Sequence, residues 1–219
     1  MGSKGFRLDM TVMYAVHDSF RRDLGRLARI AVREDDDPQR ILSAAAGWEM
    51  FKTFLRLHDS AEDEGLWPAM RPAMVSRQDD VALLEALEAE HESIDPMLEA
   101  IDRALADRDT GPARLADLVD TLGTSLSAHL SHEEKEGLPL VDRTLSEEEW
   151  RSFVQVHHRR IGTHAPRYLP WLLDGATADK AATILDRLPE PVRLACQNEW
   201  QVVYEQLDLW DAGDGRDDS

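Results

Sequence analysis

Two segments of the chain place a glutamate four residues after a histidine in the same local setting. His58-Asp59-Ser60-Ala61-Glu62 runs on to Pro68, and His129-Leu130-Ser131-His132-Glu133 runs on to Pro139. His, Ser, Glu and Pro all recur at an offset of 71 residues. Upstream of each segment stands one more histidine, His17 in Val16-His17-Asp18-Ser19 and His91 in Glu90-His91-Glu92-Ser93, at the similar offset of 74. Imidazole suits iron, zinc and copper, and a carboxylate can bridge two ions. One histidine beside an apolar stripe ordinarily bonds a core neighbour, and one His-x-x-x-Glu is ordinarily a solvated helix pair. Recurrence of both in register is what points to metal. Four imidazoles and two carboxylates buried together with no cation would cost several kcal/mol for each unsatisfied group.

These residues need helices to bring them together. Apolar positions at helical spacing mark a first helix through Val12, Val16, Phe20, Leu24, Leu27 and Ile30, ending at the acidic run Glu34 to Asp37. Pro38 suits the first turn of a second, through Ile41, Ala45, Trp48, Phe51 and Leu55. Val81, Leu84, Leu87, Ile94, Leu98 and Ile101 mark a third, with a kink expected at Pro96. After the break at Thr110-Gly111-Pro112, Leu115, Leu118, Leu122, Leu126 and Leu130 mark a fourth. No alternating strand pattern competes, so the fold class is all-α. Two similar hairpins, each with one His helix and one His-x-x-x-Glu helix, make an up-and-down four-helix bundle with its His and Glu on the interior.

Residues 1–145 are expected to form this bundle and residues 146–211 a helical extension packed on it. Ser146 to Glu149 reads as a capping box. Helices are expected around Trp150–His164, Ala178–Leu188 and Val192–Trp210, and residues 212–219 as a disordered acidic tail.

With 43 acidic and 25 basic residues among 219, the net charge of −18 argues against nucleic-acid partners and against an anionic membrane surface. No apolar run is long enough to span a bilayer, the N-terminus lacks a signal-peptide pattern, and the lone Cys196 forms no internal disulfide. A cytoplasmic location follows as the expectation. Cys196 reads as a buried structural thiol, and nothing specifies an oligomeric state. Structural zinc is disfavoured, since Cys ligands are absent and the donors exceed one tetrahedral site. A ferritin-like dinuclear site would want Glu-x-x-His on two helices; Glu88-x-x-His91 fits, but Tyr14 occupies the equivalent place before His17.

On His17, His58-x-x-x-Glu62, His91 and His129-x-x-x-Glu133, with proline after each glutamate, the chain resembles the hemerythrin family in its HHE cation-binding branch over about residues 11–142. The resemblance implies a four-helix bundle holding two non-haem iron ions in an Fe–O–Fe type centre. Glu62 and Glu133 would bridge them, and His17, His58, His91 and His129 would be terminal ligands. Many members read His-His-x-x-Glu; here Asp59 holds the second place and is an oxygen ligand candidate. The oxygen carriers of the family also place a histidine where this chain has Leu87. These departures move the expectation from reversible O2 carriage towards sensing or handling of O2 or a related ligand such as NO. A diiron oxidase or peroxidase acting on a small organic substrate, and an iron-responsive module, are the alternatives.

If the centre exists, Met13, Phe54, Leu87 and Ser125, one turn before the ligand histidines, would line an apolar pocket above it, with Tyr14 nearby as a donor. His132, His157, His158 and His164 lack repeat partners, and His132 reads as a surface residue. The segment Tyr168–Gly175, Pro191-Val192-Arg193 and Trp200 to Tyr204 resemble a tail on some actinobacterial members, here aromatic enough to pack against the bundle.

Overall fold

The stripe of Val16, Phe20, Leu24, Leu27 and Ile30 buries one face of α1 (Thr11–Ala31). The computed structural model describes residues 5–32, 38, 42, 45–207 and 209–210 and, among them, consists of helices and turns without a strand. The expected acidic run Glu34–Asp37, Ile41 of the second helix and the tail 212–219 lie outside the described residues. Three more long helices follow: α2 (Ala46–Ala61), α4 (Gln78–Ala106) and α5 (Gly111–His132). The short α3 (Trp67–Met74) links α2 to α4, and α6 (Leu138–Thr144) follows α5. α4 lies along α5, α5 along α1, and α1 along α2. Pro96 sits inside α4 without ending it.

The bundle interior is two apolar clusters. One contains Phe20, Phe51, Phe54, Leu98 and Leu122; the other contains Met13, Leu66, Trp67, Leu84, Leu87 and Leu138. His17 falls between Met13 and Phe20 on α1, and His91 between Leu87 and Ile94 on α4. The polar side chains therefore occupy the level where the two clusters meet.

The extension begins with α7 (Glu147–Ile161), where Ser146 and Glu149 form the reciprocal cap that their spacing predicts. A single 3-10 turn leads into α8 (Ala165–Leu173), then α9 (Ala178–Leu185), α10 (Glu190–Ala195) and α11 (Gln201–Glu205). The expected Val192–Trp210 helix instead begins at Glu190, carries a π-helical turn over Cys196–Trp200 and ends at Glu205. Cys196 is buried and free, as a structural thiol should be. α8 docks on α1 through Trp171, whose Nε1 donates to buried Asp23 at 2.7 Å and whose ring packs on Phe20 and Phe54. Arg26 and Asp174 close that contact with an ion pair at 2.7 Å.

At the start of α2, Gly47 donates its N–H to Leu209 O at 2.8 Å. A Cβ there would lie 2.3 Å from that oxygen and 2.4 Å from Trp210 Cε2. Gly→Ala in a helix ordinarily stabilises by about 1 kcal/mol. Gly47→Ala is expected to destabilise by about 1–3 kcal/mol instead, read from urea unfolding. In a chain ending at residue 207 the same change should recover the ordinary gain; a stabilised full-length variant would contradict the close approach.

Candidate metal centre

Each bundle helix delivers one histidine: His17 from α1, His58 from α2, His91 from α4 and His129 from α5. Glu62 and Glu133 stand one turn beyond His58 and His129. His17, Glu62 and Glu133 are wholly buried and the other three histidines nearly so. His17 Nε2 lies 3.2 Å from Glu133 Oε2, and His58 Nε2 lies 3.5 Å from Glu62 Oε1. His91 Nε2 is 3.5 Å from Glu62 Oε2 and 3.1 Å from His129 Nε2, which is 3.9 Å from Glu133 Oε2. Half-buried Asp59 brings Oδ1 to 4.0 Å from His91 Nε2. The tightest group is His17, His58 and Glu133, with one donor atom from each inside a 4.8 Å span.

Both glutamates open a π-helical turn, Glu62–Leu66 and Glu133–Gly137. The cause lies six residues on. In an unbroken α-helix Pro68 and Pro139 would clash with the carbonyls of Glu64 and Lys135 and offer no N–H. The backbone opens by one residue instead: Trp67 N–H bonds Glu62 O and Leu138 N–H bonds Glu133 O. Gly137 completes the second turn, since a Cβ there would meet Leu87 Cδ1 at 3.0 Å and Glu133 Cγ at 3.1 Å. The prolines thus mark how the Glu62 and Glu133 carboxylates are presented.

Three of the four histidines hold a carboxylate on Nδ1. His17 meets Glu134 Oε1 at 2.9 Å, His91 meets Asp63 Oδ1 at 2.8 Å and His129 meets Glu90 Oε2 at 2.8 Å. Arg21 also donates to Glu134, at 2.6 Å. An imidazole donating from Nδ1 presents its Nε2 lone pair, the arrangement that outer carboxylates impose on metal-binding histidines. Two such lone pairs, on His91 and His129, then face each other at 3.1 Å. They repel unless a cation or a proton lies between them.

Seven buried donor atoms of this cluster have no hydrogen-bond partner: His17 Nε2, His58 Nε2, Asp59 Oδ1 and both oxygens of Glu62 and of Glu133. The 3.2 Å approach of His17 to Glu133 lacks hydrogen-bond geometry. Burial disfavours charge on His17, but the Glu133 and Glu134 carboxylates prevail and lift its pKa to about 9. Burial drives His58 well below its ordinary value, with the neighbouring histidines adding to it. Burial raises Asp59 to about 7 and, with the charge of Glu133, raises Glu62 well above the carboxylate range. Nitrogen and carboxylate oxygen donors, enclosed and orphaned on one level of the core, fit a transition-metal ion.

A family model described as the hemerythrin HHE cation binding domain matches residues 8–141. The chain belongs to the hemerythrin HHE cation-binding family. No curated protein and no solved structure gives a match. Within this hemerythrin-type bundle, Glu90, Asp63 and Glu134 escaped the sequence reading. A signal existed for two of them, because Asp63 and Glu134 are themselves related by the 71-residue offset. His132 is not the plain surface residue expected: it is half-buried and shares Glu90 with His129 through an Nδ1 contact of 2.8 Å to Oε1.

The five expected pocket residues do not all share the cavity that borders His58. Met13 does line a cavity, but Tyr14, Phe54, Leu87 and Ser125 are not among the residues lining it. Phe54 is buried against Tyr168 and Trp171, Leu87 is buried in the core, Tyr14 packs on Phe6, and Ser125 is half-buried. The apolar extension fills the space around Phe54 that the bundle alone would leave open. This cavity lies where α1 and α2 meet α7 and α8.

Because Glu90 orients His129, Glu90→Gln is expected to lower metal affinity about 10–100-fold with the helical spectrum unchanged. Competition with a metal chelator measures it. An unaltered affinity would show that His129 needs no such anchor.

Proposed function

We propose that this chain is a non-haem diiron protein that binds O2 or a related small ligand such as NO at a carboxylate-bridged centre, serving oxygen or redox sensing or handling. The observation that carries the reading is the cluster of orphaned donors on His17, His58, Asp59, Glu62 and Glu133, beside the facing His91 and His129, with three of the four histidines held from behind by carboxylates. One ion would explain the tight group of His17, His58 and Glu133. A second would explain the facing Nε2 atoms of His91 and His129 and the enclosed oxygens of Glu62 and Asp59. Residues 1–145 form the binding domain in this reading, residues 146–211 its extension.

Bound iron would supply a redox-active Lewis acid for the small ligand. The chain supplies the rest. His17, His58, His91 and His129 give nitrogen donors. Glu62 and Glu133 have both oxygens uncommitted and so can each serve two ions. Asp59 gives an oxygen where a further imidazole would raise the nitrogen count. Phe20 lies 5.7 Å from the His58 ring and Trp67 lies 6.3 Å from the His91 ring, while Leu87 is fully buried, so water is kept from the donors.

The cavity bordering His58 favours a second reading, a diiron oxidase or peroxidase acting on a small organic molecule. Reduction followed by O2 separates the two: a long-lived ligand complex supports sensing or handling, whereas repeated O2 consumption with reductant supports the enzyme.

Elemental analysis should find two irons per chain after aerobic reconstitution, and anomalous scattering should place them among these donors; protein that takes up no iron ends the diiron reading. Glu62→Ala is expected to lose both ions, and His132→Ala to retain both. Chelation is expected to lower the unfolding temperature, because a ligand held by the native state alone stabilises it by about 2.7 kcal/mol at a hundred times its Kd. Calorimetry with and without chelator checks the sign.

A further inference from the structure

The 71-residue symmetry of the centre fails at one histidine. His17, His91 and His129 each have a carboxylate on Nδ1, whereas no carboxylate stands there for His58 among the described residues. Glu90, which anchors His129, precedes His91, and at the 74-residue offset that relates His91 to His17 its counterpart is Val16, which borders a cavity of about 450 Å³. His58 also lines that cavity, and the remaining wall comes largely from the extension. The volume falls within the roughly 300–1,000 Å³ typical of small-molecule sites.

Its chemistry is one-sided. Val16, Phe153, Leu172 and Ile184 give a buried apolar wall. The buried polar groups on the extension side are His157 and Tyr168, whose hydroxyl lies 3.5 Å from His157 Nε2. Neither has an ionic partner among the described residues. The two charged side chains bordering the cavity, Asp9 and Arg187, are exposed and neutralise each other at 2.7 Å. A carboxylate or ammonium brought inside would lose its hydration with no opposite charge to receive it. An uncharged guest with one hydrogen-bonding oxygen meets apolar walls and the Tyr168–His157 pair.

We infer that this cavity is a binding site for an uncharged, mostly apolar organic molecule with a single hydroxyl or carbonyl oxygen, seated against His58 with that oxygen at Tyr168 and His157. The site names a ligand class for the second reading above, but occupancy itself requires no turnover and no iron. The extension is thereby a wall of the site as well as a cover for the bundle.

N-phenyl-1-naphthylamine, an uncharged apolar fluorophore, serves as the probe on full-length protein at measured iron content, both iron-loaded and iron-free, wherever the helical spectrum is retained. One probe per chain should bind in both samples. 1-Decanol should displace it at a concentration about tenfold lower than decanoate does. Val154→Phe and Val192→Phe narrow the cavity from half-buried wall positions and should each weaken the probe about tenfold with the unfolding temperature unchanged. Tyr168→Phe should keep the probe and weaken 1-decanol about fivefold. No saturable uptake, uptake indifferent to both narrowing variants, or decanoate binding as well as decanol each overturns the site; an unchanged decanol affinity in Tyr168→Phe overturns the placement of the oxygen. Iron content and the visible spectrum of the same samples test the metal reading separately, so failure of either is not mistaken for failure of the other.

Discussion

Four imidazoles and three carboxylates share one level of a helical bundle, and their charges cannot be satisfied by one another. With no cation, His17 is held protonated beside Glu133 while Glu62, a short distance away, is pushed towards its neutral form. That compromise still leaves seven enclosed atoms without a hydrogen-bond partner. Helix pairing, by contrast, asks nothing unusual of the sequence: the apolar clusters on either side close the bundle by ordinary burial. The arrangement of the outer carboxylates, the π-helical turns and the cover of the extension all make sense as consequences of holding that polar level in place.

The outer carboxylates are shared between helices in a consistent way. The residue after each buried glutamate, Glu62 and Glu133, reaches the histidine of another helix, Asp63 to His91 and Glu134 to His17. Each π-helical segment therefore points one acid inward and the next towards a neighbour's imidazole. An unbroken α-helix separates consecutive side chains by about 100°; the extra residue of the π turn, forced by the proline beyond it, changes how these acids are presented. The same short segment supplies both a donor and the group that orients a donor from elsewhere.

Much of this was legible from the sequence, and the limits have physical causes. The all-α fold followed from the 3.6-residue stripes of α1, α4 and α5, and the convergence of four His and two Glu on one buried level followed from their recurrence in register. The π turns do not follow from those stripes, because a proline six residues after a glutamate constrains the preceding carbonyls only where the helix continues through it. Glu90 was invisible, since an acid beside a histidine on an acidic helix looks like a solvated face until the neighbouring helix is in place. Beside Phe54, the rings of Tyr168 and Trp171 pack directly on it, a contact that the sequence of the extension indicates only as a general capacity to cover one face of the bundle or an entrance to the site. The second helix begins at Ala46 behind an extended Ala45, later than the first-turn position of Pro38 indicates, because the apolar stripe through Ala45 does not by itself mark the break before it.

The net charge of −18 divides accordingly. Glu62, Glu133 and Asp59 bring buried oxygens to the polar level, and Glu90, Asp63 and Glu134 contact imidazoles from behind it, so part of the acidic excess is engaged by the histidine cluster. Only His58 stands apart from this pattern. A fourth outer carboxylate at the position of Val16 would have completed the symmetry, but it would also have placed a charge on the wall of an apolar cavity. Valine there keeps the wall dry and leaves the His58 ring to be positioned by Phe20, 5.7 Å away, and by the facing edge of His157, 6.3 Å away. The break in the repeat thus falls where the extension meets the bundle, and the histidine at that seam is positioned by packing where the other three are positioned by charge.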